Sequence, residues 1–421
     1  MVAPFCVGYY VSYLLRTVNA VIAPELVRDL HLGAADLGLL TSTYFLAFAI
    51  GQLPVGAALD RYGARRVVAA LLAVATGGVL IFSGGHHFAT LAFGRGLVGL
   101  GVSACLMGAF KAFGAAFPPG RQVALTGLVM SAGAVGALTA SLPLEWALPL
   151  IGWRHALMVV AAASAVAAVL IATVARAGTG GGGDRINRID ASNRSNRSGR
   201  NNDAAVEGDR TTLAMVFRAP AFWRFAPQAA LFTGGFMAVQ SLWAVPWLMT
   251  VDGRTPASAA GCLLVLNAGM LAGQLSIALG AAPLARTGWS RERLMTAGLA
   301  AALLVEGLII WGVAGVAGAT WVWFAFGFFA AAGAQVYGVT AGYFPASLSG
   351  RGSTAVNLLA FVGAFVIQWG IGLGVDALAR ANVDPTSAMR GTFGALWLGQ
   401  LASVAFSARI PLRPGRWPPA A

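Results

Sequence analysis

The chain has 421 residues, 58% of them hydrophobic and only 10% charged, whereas an ordinary soluble domain carries roughly 25% charged residues. This composition points away from a water-soluble globular fold. The formal net charge of +13 would suit a nucleic-acid binder if it covered a soluble surface, but the basic residues gather in short segments between apolar runs. The charge therefore reads as membrane topology, and no nucleic-acid partner is expected.

Apolar windows of about twenty residues, the length that crosses a hydrocarbon core, begin near Phe5, Asp36, Val67, Ala89, Gln122 and Arg154. A polar interruption follows from about Arg176 to Arg218, rich in Gly, Asn, Ser, Arg and Asp with almost nothing to bury, which predicts a flexible connector. Further windows begin near Phe222, Pro256, Arg293, Thr320, Thr354 and Gly391. The expected fold is an all-α integral membrane protein of twelve transmembrane helices in two six-helix bundles, residues 1–175 and 221–421, joined by a cytoplasmic linker over 176–220. The first window lacks a basic leader and reads as a first transmembrane helix, not a cleaved signal. Cys6, Cys105 and Cys262 lie in apolar spans without paired spacing or neighbouring His, so no disulfide, metal or other cofactor is expected.

With both termini placed in the cytoplasm, 20 of the 28 basic residues fall on the cytoplasmic side and five, Arg28, Arg154, Arg254, Arg380 and Arg390, on the other. That asymmetry sets the orientation, and the expected location is a bacterial inner membrane. The halves also echo each other. Gly51-Gln52-Leu53 precedes Arg61-x-Gly63, and Gly273-Gln274-Leu275 precedes Arg286-x-Gly288. FPPGR at 117–121 is matched by FPASLSGR at 344–351. Such echoes suit duplicated halves that rock around a central site.

The loop GAALDRYGARR, Gly56 to Arg66, places Asp60, Arg61, Arg65 and Arg66 between two apolar spans, where they must lie at a membrane surface. Its pattern of Gly, three residues, Asp-Arg, one residue, Gly and then basic residues resembles the loop signature of the major facilitator superfamily. With the twelve spans, central linker and repeated loops, the resemblance covers the whole chain and implies secondary transport by alternating access. It further implies that Asp60, with Arg61 and Arg65 in the same gate, meets the positive end of a helix from the other half, near Ser353 and Thr354, and latches the outward-facing state. LAFGRGLVGLGVSA resembles the family's second motif, with Arg95 at its arginine position and a coupling or gating role implied; snorkelling to the interface is the alternative.

Arg16 departs from the family pattern, because many exporters of cationic drugs carry an acid about there. A cation near the middle of span one favours an anionic or carboxylate-bearing substrate through charge-assisted hydrogen bonds, against the alternative of an Arg held in a structural network. Asn19, at i+3, would share its face. Glu306, deep in a second-half span, and Glu145, near the outer end of span five, are the candidate proton carriers; a structural partner is the competing role for Glu306. Gln240, Trp243, Asn267, Gln335, Tyr337, Asn357 and Gln368 occupy positions that suggest a polar central cavity, although each alone suits an interhelical hydrogen bond.

The reading that results is a monomeric, lipid-embedded secondary transporter that binds a small-molecule solute, anionic in character, and couples it to protons or another ion. Drug or metabolite efflux is a competing reading, weakened because span five lacks a Gly-Pro pair; a non-transporting sensor or assembly factor is another. No nucleotide loop, paired catalytic acids or Ser/His/Asp arrangement stands out, so no enzyme is expected.

Overall fold

The computed structural model describes residues 1–173, 215–312 and 315–410, and most of the expected linker lies outside the described residues. Among the described residues twelve long helical segments follow one another. They are α1 (Val2–Leu30), α2 (Ala34–Tyr62), α3 (Ala64–Gly84), α4 (Phe88–Ala116), α5 (Pro119–Thr139) and α6 (Leu142–Thr173) in the first half. The second half has α7 (Pro220–Thr250), α8 (Pro256–Arg286), α9 (Arg291–Trp311), α10 (Thr320–Ala341), α11 (Ala346–Arg380) and α12 (Pro385–Arg409). Ten are long and apolar enough to cross a membrane; the apolar part of α5 is the shorter stretch Leu125–Thr139, and α12 falls short by composition. The helix is the form that satisfies every backbone N–H and C=O without water, which is why an apolar run of this length takes it.

The packing repeats with an offset of six helices. In the first half α1 packs on α5, α2 on α4 and α3 on α6; in the second α7 packs on α11, α8 on α10 and α9 on α12. The halves meet through α2 against α11, α1 against α7, and α5 and α6 against α8. Burial differs among the helices: the most apolar stretches of α1 and α7 are 78% buried, those of α3, α6 and α9 44%, and those of α8 and α11, which also line the cavity between the halves, 39%.

Local sequence explains the ends and breaks. The turn between α2 and α3 needs Gly63 at φ +80°, a backbone that side chains rarely adopt; Gly56, by contrast, faces open space. Pro118 and Pro345 are the N-cap residues of α5 and α11, so the paired FPPGR and FPASLSGR segments stand at equivalent turns. α11 begins at Ala346, earlier than its hydropathy suggested, which places Ser353 and Thr354 inside the helix rather than at its start. α6 bends at Gly152 (φ +71°), so Glu145 sits in the short stretch before the bend instead of at the end of α5. Asp384 caps α12 by accepting from the Ser387 N–H at 3.0 Å, and that bonding holds its carboxyl below the usual carboxylate range.

One ionic network ties the second half together. Arg224 of α7 donates to Glu292 in the first turn of α9, to the Tyr343 hydroxyl (3.2 Å) and to the Ser407 carbonyl of α12 (3.0 Å), while Tyr343 also donates to Glu292. The Arg224 side chain is 9% exposed. Removing the acid from such a pair strands a buried cation, at a cost of about 3 kcal/mol. Glu292→Ala is therefore expected to lower the melting temperature of the purified protein by several degrees, Glu292→Gln by less; an unchanged melting curve for both would show that the network contributes nothing.

Candidate functional site

A cavity of about 730 Å³ lies between the halves, within the usual size of small-molecule sites. Its wall includes Met107, Phe110, Thr126 and Gly127 from the first half and Ala278, Arg291, Leu294 and Ser353 from the second. These residues stand toward the ends of α4, α8 and the starts of α5, α9 and α11, on the face that carries Arg61, Arg65, Arg66, Arg286 and Arg351. The cavity therefore opens toward this basic face. Toward the far face it is closed: Phe361 stacks on Phe48 with ring centroids 4.0 Å apart, Trp243 donates to the Gln368 carbonyl at 2.9 Å, and Asn267 donates across the halves to Ser141 Oγ (3.0 Å) and the Ala137 carbonyl (3.3 Å).

Departures from regular helix geometry supply part of the wall. α7 contains two wide π turns, Ala229–Thr233 and Val239–Trp243, the second followed by Pro246, which has no N–H to offer the Leu242 carbonyl. α10 tightens to a 3-10 turn at Ala331–Ala334 just before Gln335. α4 is interrupted between Val102 and Cys105, and there Gln52 donates to the Ser103 carbonyl at 3.2 Å. Thr233, Gln240, Ala331, Ala334, Gln335 and Ser103 all reach the cavity wall; irregular turns of this kind recur at functional sites.

Of the nine residues expected to bind substrate, the structure brings five to the wall: Arg16, Gln240, Gln335, Tyr337 and Asn357. The other four lie off it. Asn19 faces α2 and donates to Thr41 Oγ1 at 3.3 Å, because three positions along a helix rotate a side chain about 60° away from the first. Asn267, Trp243 and Gln368 belong to the closed side described above. Gln240 joins the two sets, donating to Asn267 Oδ1 at 2.7 Å. Tyr337 reaches the wall with a buried hydroxyl that has no hydrogen-bond partner among the described residues.

Arg16 is only 5% exposed. Its guanidinium carbon lies 4.4 Å from the centre of the Tyr13 ring and 5.4 Å from that of Phe361 in the other half, and Tyr9 and Tyr44 stand nearby. No carboxylate pairs with it among the described residues. Among the described residues the wall holds one other charged side chain, Arg291 at the open end, and no Asp, Glu or His. Aromatic faces stabilise a cation by about 2 kcal/mol when it is desolvated, less than a paired anion would.

Arg95, expected to couple or gate or else to snorkel to the interface, finds backbone partners inside its own half. It is buried behind the wall and donates to two backbone carbonyls of α1, those of Leu15 (2.7 Å) and Arg16 (3.2 Å), with the Tyr44 ring 4.8 Å away. It thus pins α1 at the residue that carries the cavity cation. Asp60 makes an ion pair with Lys111 of α4 in its own half, and among the described residues no hydrogen bond or ion pair joins it to α11. This pair is exposed and contributes under about 1 kcal/mol. Arg61 lies over the Tyr62 ring at 5.3 Å, and Arg65 donates to the Ala172 carbonyl at the end of α6 (3.0 Å). Glu306 of α9 is 3% exposed and off the wall, with neither carboxylate oxygen bonded to a described residue. Glu145 is also off the wall, on the far face.

Sequence reasoning passed over Gln52 and Gln274, both on the wall. The signal was present, since they are the glutamines of the repeated Gly-Gln-Leu triplets on the equivalent helices α2 and α8. Tyr9, Ser12 and Tyr13 were passed over as well; they precede Arg16 at helical spacing along α1.

Comparisons with known proteins agree with this architecture. A family model for the Major Facilitator Superfamily matches residues 5–367. The hexuronate transporter of Escherichia coli (strain K12) is 26% identical over 167 residues, 39% of this chain and 38% of the relative. The galacturonate transporter of Dickeya chrysanthemi is 26% identical over 167 residues, 39% of this chain and 48% of the relative. The matched stretch thus spans less than half of either relative. A D-xylose-proton symporter structure superposes with a TM-score of 0.73 over 97% of both chains at 14% identity, a likeness of fold. With its helices repeated six by six around a central cavity, this multi-pass chain belongs to the Major Facilitator Superfamily.

Proposed function

We propose that the protein moves a small organic anion of the sugar-acid class across the bacterial inner membrane by alternating access, with its basic face in the cytoplasm. The observation that carries this reading is Arg16, a cation 5% exposed on the wall of the central cavity with no acid beside it among the described residues. An unpaired charge at that depth is costly, and a substrate carboxylate is the partner that offsets the cost, through the two parallel bonds that guanidinium makes with carboxylate. Amides and hydroxyls from both halves, among them Gln52, Gln274, Gln335, Asn357 and Tyr337, suit the hydroxyl-bearing remainder of such a molecule. The two sugar-acid transporters among the relatives support the same class.

Proton coupling is part of the proposal. Its support is the buried, unbonded carboxyl of Glu306 and the proton symport of the structural neighbour. Since Glu306 is off the wall, it would act through the packing of α9 on α10 and α12 rather than by touching substrate.

Two expected outcomes follow. In proteoliposomes, Arg16→Ala should weaken uptake of labelled galacturonate about 100-fold in apparent affinity, the loss of a charge-assisted bidentate contact, and Arg16→Lys should retain part of it; uptake unaffected by Arg16→Ala would sink the anion reading. Glu306→Gln should make net uptake indifferent to an imposed pH gradient while substrate exchange continues. Wild-type uptake that ignores the gradient would remove proton coupling and leave the substrate class standing.

A further inference from the structure

The residue before α2 is Gly33, which has no side chain to cap the helix, so the helix's first N–H groups need acceptors from elsewhere. They find them in the other half. The Asp376 carboxylate, near the end of α11, accepts from Ala34 N–H (3.1 Å, Oδ1) and Ala35 N–H (2.9 Å, Oδ2). Each oxygen takes one donor, and the negative charge lies at the positive end of a 29-residue helix. Around this point the two backbones touch: a Cβ on Gly38 would lie 2.7 Å from the Gln368 carbonyl oxygen, and one on Gly372 would collide with the backbone of Ala34. Both positions exclude any side chain while α2 and α11 are in this contact.

α2 runs toward the basic face and α11 away from it. Asp60 stands near the end of α2, Asp376 near the end of α11. Each acid is thus placed toward the beginning of the opposite helix, one at each face of the same antiparallel pair. In this structure they are in opposite conditions: Asp376 is bonded across the halves, and Asp60 is held within its own half by Lys111. The cavity is shut at the Asp376 end and open at the Asp60 end.

We propose that Asp376 is the latch of the far gate: it caps α2 from the other half when the cavity faces the basic side, and it must release Ala34 and Ala35 for the cavity to open to the far side. Its role is to position the two halves, and it does not contact substrate. A bond from a charged acceptor shifts an equilibrium by about tenfold or more. Losing the carboxylate therefore moves the resting population toward the state open at the far face.

The test is the sidedness of a cavity thiol in the full-length protein. In a background with the three native cysteines replaced by Ser, Ser131→Cys on the wall is labelled with a membrane-impermeant maleimide, from outside in intact cells and from inside in inverted vesicles. Asp376→Ala is expected to raise the labelling rate from the far face about tenfold and to lower it from the basic face, and Asp376→Glu to restore part of the original ratio. Gly372→Val, which separates α2 from α11 without touching the carboxylate, is expected to shift the ratio in the same direction; it reports on the gate if Asp376→Ala does not fold. Purely structural damage would lower the melting temperature and change labelling from both faces alike. Unchanged labelling ratios in folded Asp376→Ala and Asp376→Asn would overturn the latch. Because the readout uses no substrate and defines each side by its own face, its failure leaves the sugar-acid reading untouched, and failure of galacturonate uptake leaves the latch untouched.

Discussion

A charge inside a lipid-embedded bundle must find a partner or remain costly, and three buried arginines meet this constraint in three ways. Arg224 is neutralised by Glu292 and supported by Tyr343. Arg95 has no acid but spreads its charge over the backbone carbonyls of Leu15 and Arg16. Arg16 has no acid among the described residues and lies against the rings of Tyr13 and Phe361, with Tyr9 and Tyr44 beside it. The first two fasten helices within a half. The third stands where the halves meet, on the cavity wall, and it is the residue on which the proposed substrate class rests.

The arrangement around Arg16 explains how one residue can report to both halves. Arg95 holds the α1 backbone at the same point that presents the guanidinium, and Phe361 of α11 lies against the guanidinium while stacking on Phe48 of α2. An anion bound there therefore touches the contact between α2 and α11, the same helix pair whose far end carries the Asp376 bonds. The short π and 3-10 turns in α7 and α10 matter for the same reason. They loosen the helical ladder where the wall forms and turn Thr233, Gln240 and Gln335 inward.

Much of the architecture was legible in the chain. All twelve apolar windows became helices, and the paired FPPGR and FPASLSGR segments stand at equivalent turns because proline caps a helix at either site. The Gly-Gln-Leu echo held more than it was credited with, since both glutamines face the cavity. Individual polar residues were harder to place. Asn19 and Asn267 look like Gln335 and Asn357 in sequence, an amide in an apolar run, yet the first two tie helices together and the others face open space. Asp60 matched its motif, but in this structure its carboxylate pairs with Lys111 of its own half, a partner the motif does not name.

The sequence by itself determined that the chain is a helical membrane protein, the order and approximate location of its helices, and that its two halves echo each other, because hydropathy, proline and glycine act over a few turns of backbone; it placed the starts of α6 and α11 too late. Only the tertiary structure decided which polar side chains share a cavity, that Arg95 lies behind the wall, and that α2 is capped by a residue 342 positions away. Those outcomes depend on how helices distant in sequence pack against each other, and a side chain's own neighbours along the helix carry no record of that packing.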